Sequence, residues 1–264
     1  WAACLRARVS YLDLSGEVDV VERAAEQHAA AREAGIMLMP AVGFDVVPSD
    51  CLASLLCRSF TRPRALHFAY SGLGHFSRGS ALTMLQYAGQ PVRARRSGRL
   101  VSAASALLPA ADFGAGQRAL CPVDWADLAS AYFSTGVANV STYFEATPAL
   151  RAALWGRSPL ASIAALPALH PLWGRGLPDG PSDEQRRRAR CVLVAIAELE
   201  GGRRAHVRCE TRDVYDFSAH AACELARRVA RGDCEPGFQT PARVYGSELL
   251  AAIGGSSVGE VACA

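Results

Sequence analysis

GIMLMPAVGFDVVPSD, residues 35–50, is the stretch that decides the fold of this chain. Its apolar run predicts a parallel β-strand that is covered on both faces. Glycine ends the run, Asp45 follows, and Ser49 predicts the N-cap of a helix over residues 49–59. Because open parallel sheets bind ligands beyond the carboxyl ends of their strands, an acid at this point predicts a functional site.

The residues before this strand complete a β-α-β-α unit. RVSYLDL, residues 8–14, predicts a strand from its β-branched and aromatic residues, and residues 18–34 predict one amphipathic helix. Gly35 sits where a left-handed helix cap belongs. Two covered parallel strands need further strands beside them. We therefore expect the C-terminal half of a doubly wound Rossmann sheet, with about two or three βα units preceding residue 1.

The strand–helix rhythm stops after residue 60. Residues 65–74 predict a strand that ends in a glycine loop, and residues 77–88 predict a helix. Residues 191–213 predict a hairpin about a Gly-Gly turn, and Ser218 predicts the N-cap of an amphipathic helix. Strands and helices that do not alternate indicate an α+β domain. The predicted organisation is a Rossmann part over residues 1–60, an α+β substrate and dimerisation domain over residues 61–234, and a C-terminal segment over residues 235–264 that packs back on the Rossmann part.

The composition excludes several classes of function. The chain has 264 residues, of which 50% are hydrophobic, so a large core is available and global disorder is excluded. Its 28 basic and 25 acidic groups leave a net charge of only +3, so we expect no nucleic-acid partner. Every basic side chain is Arg, so neither a Schiff-base Lys nor a phosphate-loop Lys can operate. The nine Cys lack zinc-ligand spacing, which indicates reduced thiols and a cytoplasmic location.

One apolar segment raises the question of a membrane. SPLASIAALPALHPLW, residues 158–173, contains three prolines. It is shorter than the roughly 20 residues that a bilayer-spanning helix needs. We therefore expect either a surface hairpin or a peripheral membrane contact through this segment, and in the second case a cytoplasmic protein that is membrane-associated.

Two loops at the carboxyl ends of the predicted strands carry the candidate chemistry. The first runs from Asp13 through Ser15 to Glu17, and the second spans residues 43–50. A glycine would let the backbone approach a ligand closely, and a proline would stiffen the second loop. The alternative is that Asp13 and Ser15 cap the next helix and that Asp45 closes an Asx turn. Because both loops lie on the same edge of one sheet, we favour a site.

Weaker signals lie further along the chain. His75 lies in a glycine loop whose spacing does not match the dinucleotide fingerprint, and the alternative to a substrate contact is an ordinary surface histidine. The basic stretches at residues 93–100 and 186–190 are predicted to be solvated faces.

Several motifs in series resemble one known family. They are, in order, YLDLSGE, GFDVVPSD, SRGSALTM, PVDWADLASAYFSTGVANVSTY, GPSDEQR and PGFQTPARVYG. Together they extend over nearly the whole chain and are similar to the saccharopine dehydrogenase-like oxidoreductases, which include the trans-acting enoyl reductases. The resemblance implies an N-terminal Rossmann domain that binds NADP or NAD and a second domain that closes over the substrate. The family's glycine-rich fingerprint would precede residue 1.

The resemblance also implies roles for individual residues. Asp45 and Asp13 would be catalytic. The cofactor would lie against Gly43, Phe44, Asp45, Pro48 and Ser15, and the substrate against Tyr11, Glu17, His75 and Arg78. The reaction would be hydride transfer to or from an imine, a carbonyl or an enoyl group of a small-molecule or lipid-like substrate, in a chain that forms a homodimer. The alternative is a truncated relative that no longer catalyses and serves as a binding or scaffold partner.

Overall fold

The computed structural model describes residues 1–61, 63–74, 77–80, 91–103, 108–147 and 179–263, which form a mixed α/β structure. Its helices are α1 Ala2–Ala7, α2 Val18–Glu26, α3 His28–Ala34, α4 Val47–Ser59, α5 Asp127–Thr135, α6 Asp183–Arg188, α7 Val214–Ala230, α8 Pro241–Tyr245 and α9 Leu249–Ile253. Its strands are β1 Tyr11–Leu12, β2 Met37–Met39, β3 Ala65–Ser71, β4 Arg93–Arg96, β5 Arg99–Ser102, β6 Ala110–Asp112, β7 Gln117–Val123, β8 Val140–Glu145, β9 Arg190–Glu198, β10 Arg204–Arg212, β11 Gly237–Phe238, β12 Ser256–Val258 and β13 Ala262–Cys263. The predicted α/β class is confirmed.

A small parallel sheet carries the two loops of interest. Strand β2 lies in its centre, with all three residues buried, and pairs in parallel with β1 and with β11. The predicted buried parallel strand is therefore confirmed, although it is shorter than the apolar run. The third strand comes from the C-terminal part of the chain, where Gly237 pairs with Met37. The division into residues 1–60, 61–234 and 235–264 stays a prediction.

The first strand and first helix differ from the expected bounds. The chain begins with a short helix that ends at Arg8 in the left-handed conformation, so β1 starts at Tyr11 rather than at residue 8. The predicted helix over residues 18–34 breaks at Gln27 into α2 and α3. Gly35 ends α3 with φ 70°, as the left-handed cap predicts.

A ten-stranded mixed sheet forms the rest of the scaffold. Strands β3 and β8 run parallel, and β9 pairs with β3 in the antiparallel direction. The predicted hairpin is confirmed as β9 and β10, joined about Gly201 and Gly202. Helix α4 lies against β9 and β10 and also contacts α5, and one apolar core continues across these elements. The small sheet and the large sheet are thus joined through α4.

Two predicted helix caps are wrong. Helix α4 begins at Val47, with Pro48 in its first turn, where a missing N–H costs nothing. Ser49 therefore lies inside the helix, and its Oγ donates to the Val46 carbonyl at 2.9 Å. Helix α7 begins one turn earlier than predicted because the Asp213 carboxylate accepts two hydrogen bonds from N–H groups of its first turn. Ser218 lies one turn inside that helix.

The basic stretch at residues 93–100 is not a solvated face. Arg95 is buried, with a guanidinium group that donates to the carbonyls of Leu128 at 2.5 Å and Gly98 at 2.8 Å and pairs with Glu22. It also lies 4.4 Å from the centre of the Tyr132 ring. The burial is tolerated because the charge is paired and its donors have acceptors.

Some predictions fall on residues outside the described ranges. They are His75, the apolar segment 158–173 and most of the helix predicted over residues 77–88. Among the helices that the structure does describe, none combines the length and the apolar character needed to cross a membrane.

Candidate functional site

Asp13 joins the two loops at the carboxyl edge of the small sheet. Its Oδ1 accepts hydrogen bonds from the Ser15 amide at 2.9 Å, the Ser15 hydroxyl at 2.8 Å and the Ala41 amide at 2.8 Å. Its Oδ2 accepts from the Tyr11 hydroxyl at 2.7 Å, and burial and this carboxylate raise the pKa of Tyr11 to about 12. Four donors leave this carboxylate committed to holding the loops together. The geometry favours a positioning function for Asp13, and its catalytic function stays a prediction.

Gly16 allows the Asp45 carboxyl group to lie against the first loop. A Cβ atom at this position would sit 2.2 Å from Asp45 Oδ2 and 2.9 Å from Trp125 Nε1. Any side chain would therefore displace the acid or the indole. The Gly16 carbonyl also accepts from the Ala126 amide at 3.0 Å, which fixes the loop to the start of α5. The loop, the acid and the indole thus form one packed unit.

The environment of Asp45 favours its neutral form. Burial of the carboxyl group, with a smaller contribution from the negative charge of Glu17, raises the pKa of Asp45 to about 7. The residue as a whole retains some exposed surface, so the acid remains at the edge of the sheet. An acid with a pKa near neutrality can gain or lose a proton under ordinary conditions.

A second acid, Asp127, lies deeper in the protein, at the first residue of α5 and against α4. It has no exposed surface, and its carboxyl group contacts the hydroxyl groups of Ser49, Tyr70 at 3.0 Å and 3.1 Å, and Thr142 at 3.5 Å. Burial raises the pKa of Asp127 to about 8, and the charges of Asp45 and Asp50 add to the effect. No cation pairs with this acid among the described residues, so it is held by neutral hydroxyl groups.

Asp50 attaches the C-terminal part of the chain to α4. Its Oδ2 accepts from the Ala242 amide at 2.7 Å, and its Oδ1 accepts from the Ser134 hydroxyl. Burial raises the pKa of Asp50 to about 6, although the Ser134, Ala242 and Thr240 hydrogen bonds oppose the rise. This acid therefore caps the first turn of α8 from inside the protein.

Aromatic rings join the second loop to the large sheet. The Trp125 ring centre lies 4.9 Å from that of Tyr70 and 4.8 Å from that of Phe144. Phe44 packs against the same group, 5.7 Å from Tyr70 and 6.0 Å from Phe217. Since Phe44 is only 1% exposed, its ring anchors the loop.

The remaining predicted residues are placed in different ways. Pro48 is buried in the first turn of α4, and the Phe44 amide donates to Ser218 Oγ at 2.9 Å, so cofactor contact by these two residues stays a prediction. A Cβ atom on Gly43 would meet Leu14 Cδ2 at 3.0 Å and Ser218 Oγ at 3.1 Å, so protein fills that side. Arg78 pairs with Asp179 at 2.9 Å on the surface. The structure thus brings together Tyr11, Asp13, Ser15, Glu17, Gly43 and Asp45.

Sequence reasoning missed the inner part of this cluster. Asp127 lies within PVDWADLASAYF, a stretch in which an acid follows a tryptophan and precedes apolar residues at helical spacing. An acid on the apolar face of an amphipathic helix is the signal that could have singled it out. Tyr70 gave no such signal, because a tyrosine in a strand is ordinary. Among the described residues, no group of three or more His, Cys, Asp or Glu could hold a metal ion.

Comparisons with known proteins support the fold. No family model matches the sequence, and no curated protein matches it either. The structure is similar to apo histidine-tagged saccharopine dehydrogenase (L-Glu forming) from Saccharomyces cerevisiae, with a TM-score of 0.53 and 11% identity over 96% of this chain and 77% of that chain. A second solved structure is GenD2 from gentamicin A biosynthesis, in complex with NAD. Its TM-score is 0.32, with 16% identity over 98% of this chain and 74% of that chain, and it carries no argument here. The chain therefore has a saccharopine dehydrogenase-like fold.

Proposed function

We propose that this chain belongs to an NAD(P)-dependent oxidoreductase that transfers hydride to or from an imine, carbonyl or enoyl carbon. One observation carries the proposal. The Asp45 carboxyl group lies between two joined loops at the carboxyl edge of parallel strands, in a fold shared with a saccharopine dehydrogenase. That edge is where open parallel sheets bind their ligands.

The loops offer the surfaces that a nicotinamide ring requires. Leu14 follows Asp13 in the first loop and is 54% exposed, and its Cδ2 lies 3.0 Å from where a Cβ on Gly43 would be. An exposed apolar side chain beside polar backbone and a hydroxyl group suits a ring that is apolar on its faces and polar at its amide. Leu14, Ser15 and the backbone of Gly43 would hold the ring. A bound nicotinamide supplies the hydride chemistry that no protein side chain provides.

Asp45 would handle the proton in this reaction. Reduction of an imine or a carbonyl adds a proton to nitrogen or oxygen, and the reverse reaction removes it. A carboxyl group with a pKa of about 7 can do either near neutral pH. Asp13 would act through the loops, because its hydrogen bonds to Ser15 and Ala41 fix the position from which Asp45 works. Its commitment to four donors makes it a positioning residue in this proposal.

The proposed substrate classes are ranked by how well each agrees with the acid at the site. The enoyl and lipid-like substrates follow from the sequence resemblance and from the apolar segment 158–173, which lies outside the described residues. An imine or carbonyl substrate agrees better with an acid of raised pKa, because its reduction needs a proton on a heteroatom. We therefore rank imine and carbonyl compounds first for testing, and keep the homodimer and the membrane contact as predictions.

Cofactor titration tests the proposal. NADH and NADPH are titrated, by nicotinamide fluorescence, into this chain and into a version extended by the coding sequence upstream of Trp1. We expect binding only in the extended version, since the resemblance places the glycine-rich fingerprint before residue 1. Comparable binding by both versions would refute that placement of the fingerprint. Absence of binding in both would favour the non-catalytic alternative.

Substitution of Asp45 separates catalysis from binding. In the extended version, Asp45→Asn is expected to lower turnover at least about ten-fold while cofactor affinity changes by less than about three-fold. Glu235→Gln removes an exposed carboxyl group elsewhere and serves as the matched control. Turnover in Asp45→Asn equal to that of the control would leave Asp45 as a turn-forming residue only.

A further inference from the structure

A groove of about 420 Å³ lies between α6, the end of β10, the first turn of α7 and β12. This volume falls in the range of roughly 300–1,000 Å³ that is typical of small-molecule sites. Its lining is dominated by four arginines, Arg186, Arg187, Arg190 and Arg212. None of these residues belongs to the loops that hold Asp13 and Asp45.

The positive charges of the groove outnumber its negative charges. Among its lining residues, two carboxylates, Glu210 and Asp216, face the four guanidinium groups. Asp216 lies 3.5 Å from Arg186, which also pairs with Asp183. With Asp183 included, four guanidinium groups face three carboxylates, so an excess of one positive charge remains on this concave surface. Such a surface attracts anions, and arginine binds carboxylate and phosphate through two parallel hydrogen bonds.

The arginines without acidic partners are oriented by neutral groups. Arg190 donates to the carbonyls of Arg187 at 3.0 Å and Ala189 at 2.7 Å. Arg212 Nη1 lies 3.2 Å from His220 Nε2, and its enclosed Nε has no hydrogen-bond partner among the described residues. Carbonyl and imidazole groups orient a guanidinium without neutralising its charge. These side chains thus retain unused donors and unbalanced charge.

Gly255 provides the floor of the groove. It has φ +68°, and a Cβ atom there would lie 1.9 Å from Arg212 Nε. Its carbonyl accepts from the Arg212 amide at 3.0 Å. A left-handed glycine therefore lets the guanidinium of Arg212 lie flat against the backbone. Ser256 and Ser257 follow on the groove wall. The Ser256 hydroxyl donates to the Leu250 carbonyl at 3.2 Å, so Ser257 is the serine that can offer a hydroxyl donor.

We propose that this groove binds the anionic group, carboxylate or phosphate, of a soluble small molecule. Arg212 forms the fixed base of the site, held by Gly255 and His220. Arg187 and Arg190 supply further positive charge, and Ser257 supplies a neutral donor. The site goes beyond the proposed oxidoreductase function, because it needs neither the cofactor nor Asp45.

Calorimetric titration at constant ionic strength tests the proposal. The probes are inorganic pyrophosphate, inorganic phosphate and succinate, each compared with sodium chloride. Arg187→Ala combined with Arg190→Ala removes two charges from the groove. Arg203→Ala combined with Arg231→Ala removes two exposed charges elsewhere and is the matched control.

The proposal expects at least one of the probes to bind and to lose about ten-fold or more of its affinity in the groove variant. The control variant should lose less than about two-fold. A stronger response to the phosphates or to succinate identifies the group, and an equal response supports the shared chemistry. Equal losses in both variants, or no binding beyond chloride, would overturn the proposal. Pyrophosphate bound at the cofactor site would also be revealed, because its affinity would not follow the groove arginines.

Discussion

Replacing Asp127 by Asn should make the protein more stable above pH 4, and increasingly so up to about pH 8. The Ser49 hydroxyl has one proton but two acceptors, the Val46 carbonyl and the Asp127 carboxyl group. A neutral Asp127 resolves this, because it donates to Ser49, which in turn donates to Val46. An Asn amide offers the same donor to Ser49 and the same acceptor to Tyr70. The substitution should therefore preserve the geometry and remove the titration.

The size of the effect follows from the pKa difference. The pKa of Asp127 is about 8 in the folded protein, against an ordinary value of 3.8. The folded state thus binds more protons than the unfolded state between these values, and stability falls as the pH rises. At pH 7 the loss attributable to Asp127 is on the order of 4 kcal/mol. The full stabilisation is present below about pH 4 and is lost as the pH passes through about 8.

Urea unfolding followed by tryptophan fluorescence measures this effect. The free energy of unfolding is determined for the wild type and for Asp127→Asn at several pH values from 4 to 8.5. The difference between the two isolates Asp127, because other titrating groups contribute to both proteins. Glu235→Gln, which removes an exposed carboxyl group, is the control. A difference that stays constant across this pH range would refute the account of a neutral buried acid.

Three further predictions concern the same region. Gly16→Ala should destabilise the fold by about 1–3 kcal/mol in urea unfolding, because its Cβ would collide with Asp45 and Trp125. Gly180→Ala is the control and should be nearly neutral, because its Cβ would come no nearer than 4.0 Å to the atoms of other described residues. Arg95→Ala should lower the free energy of unfolding by about 3–5 kcal/mol, because Glu22 and two carbonyl groups lose their partner. A decrease of less than about 1 kcal/mol would contradict the burial of Arg95. In the extended version with NADPH or NADH, kcat/KM should change across about pH 7, where Asp45 titrates, and Asp45→Asn should abolish that limb of the profile.

The parts of the fold that the sequence predicts are those with a local signal. The apolar run before Gly43 predicts a covered strand, and the Gly-Gly pair predicts the turn of the β9–β10 hairpin. The caps at Ser49 and Ser218 are wrong because another group competes locally, Pro48 in one helix and Asp213 in the other. The burial of Arg95 depends on Glu22, more than 70 positions away in sequence, and no local pattern indicates such a partner.

The residues of the candidate site also divide into those that a local sequence signal predicts and those that it does not. Asp13 and Asp45 are predictable because each follows an apolar strand, and strand ends mark ligand edges. The contact between Asp45 and Gly16 joins two loops that are separated in the sequence. The glycine that makes room for the Asp45 carboxyl group is therefore Gly16, and not Gly43, which lies two residues before the acid. Asp127 is brought to the site by α5. The pattern of strands and helices in the sequence does not predict where α5 packs.

The three raised pKa values assign different charge states to three neighbouring acids. Asp50 has the lowest value, about 6, because amide and hydroxyl donors favour its charged form. Asp127 has the highest, about 8, mainly because it is buried, and the negative charges of Asp45 and Asp50 add to the rise. Ionisation of Asp45 therefore makes Asp127 hold its proton more firmly. Asp50 thus favours its charged form most and Asp127 favours it least, and Asp45 is the one of the three that lies at the edge where a ligand would bind.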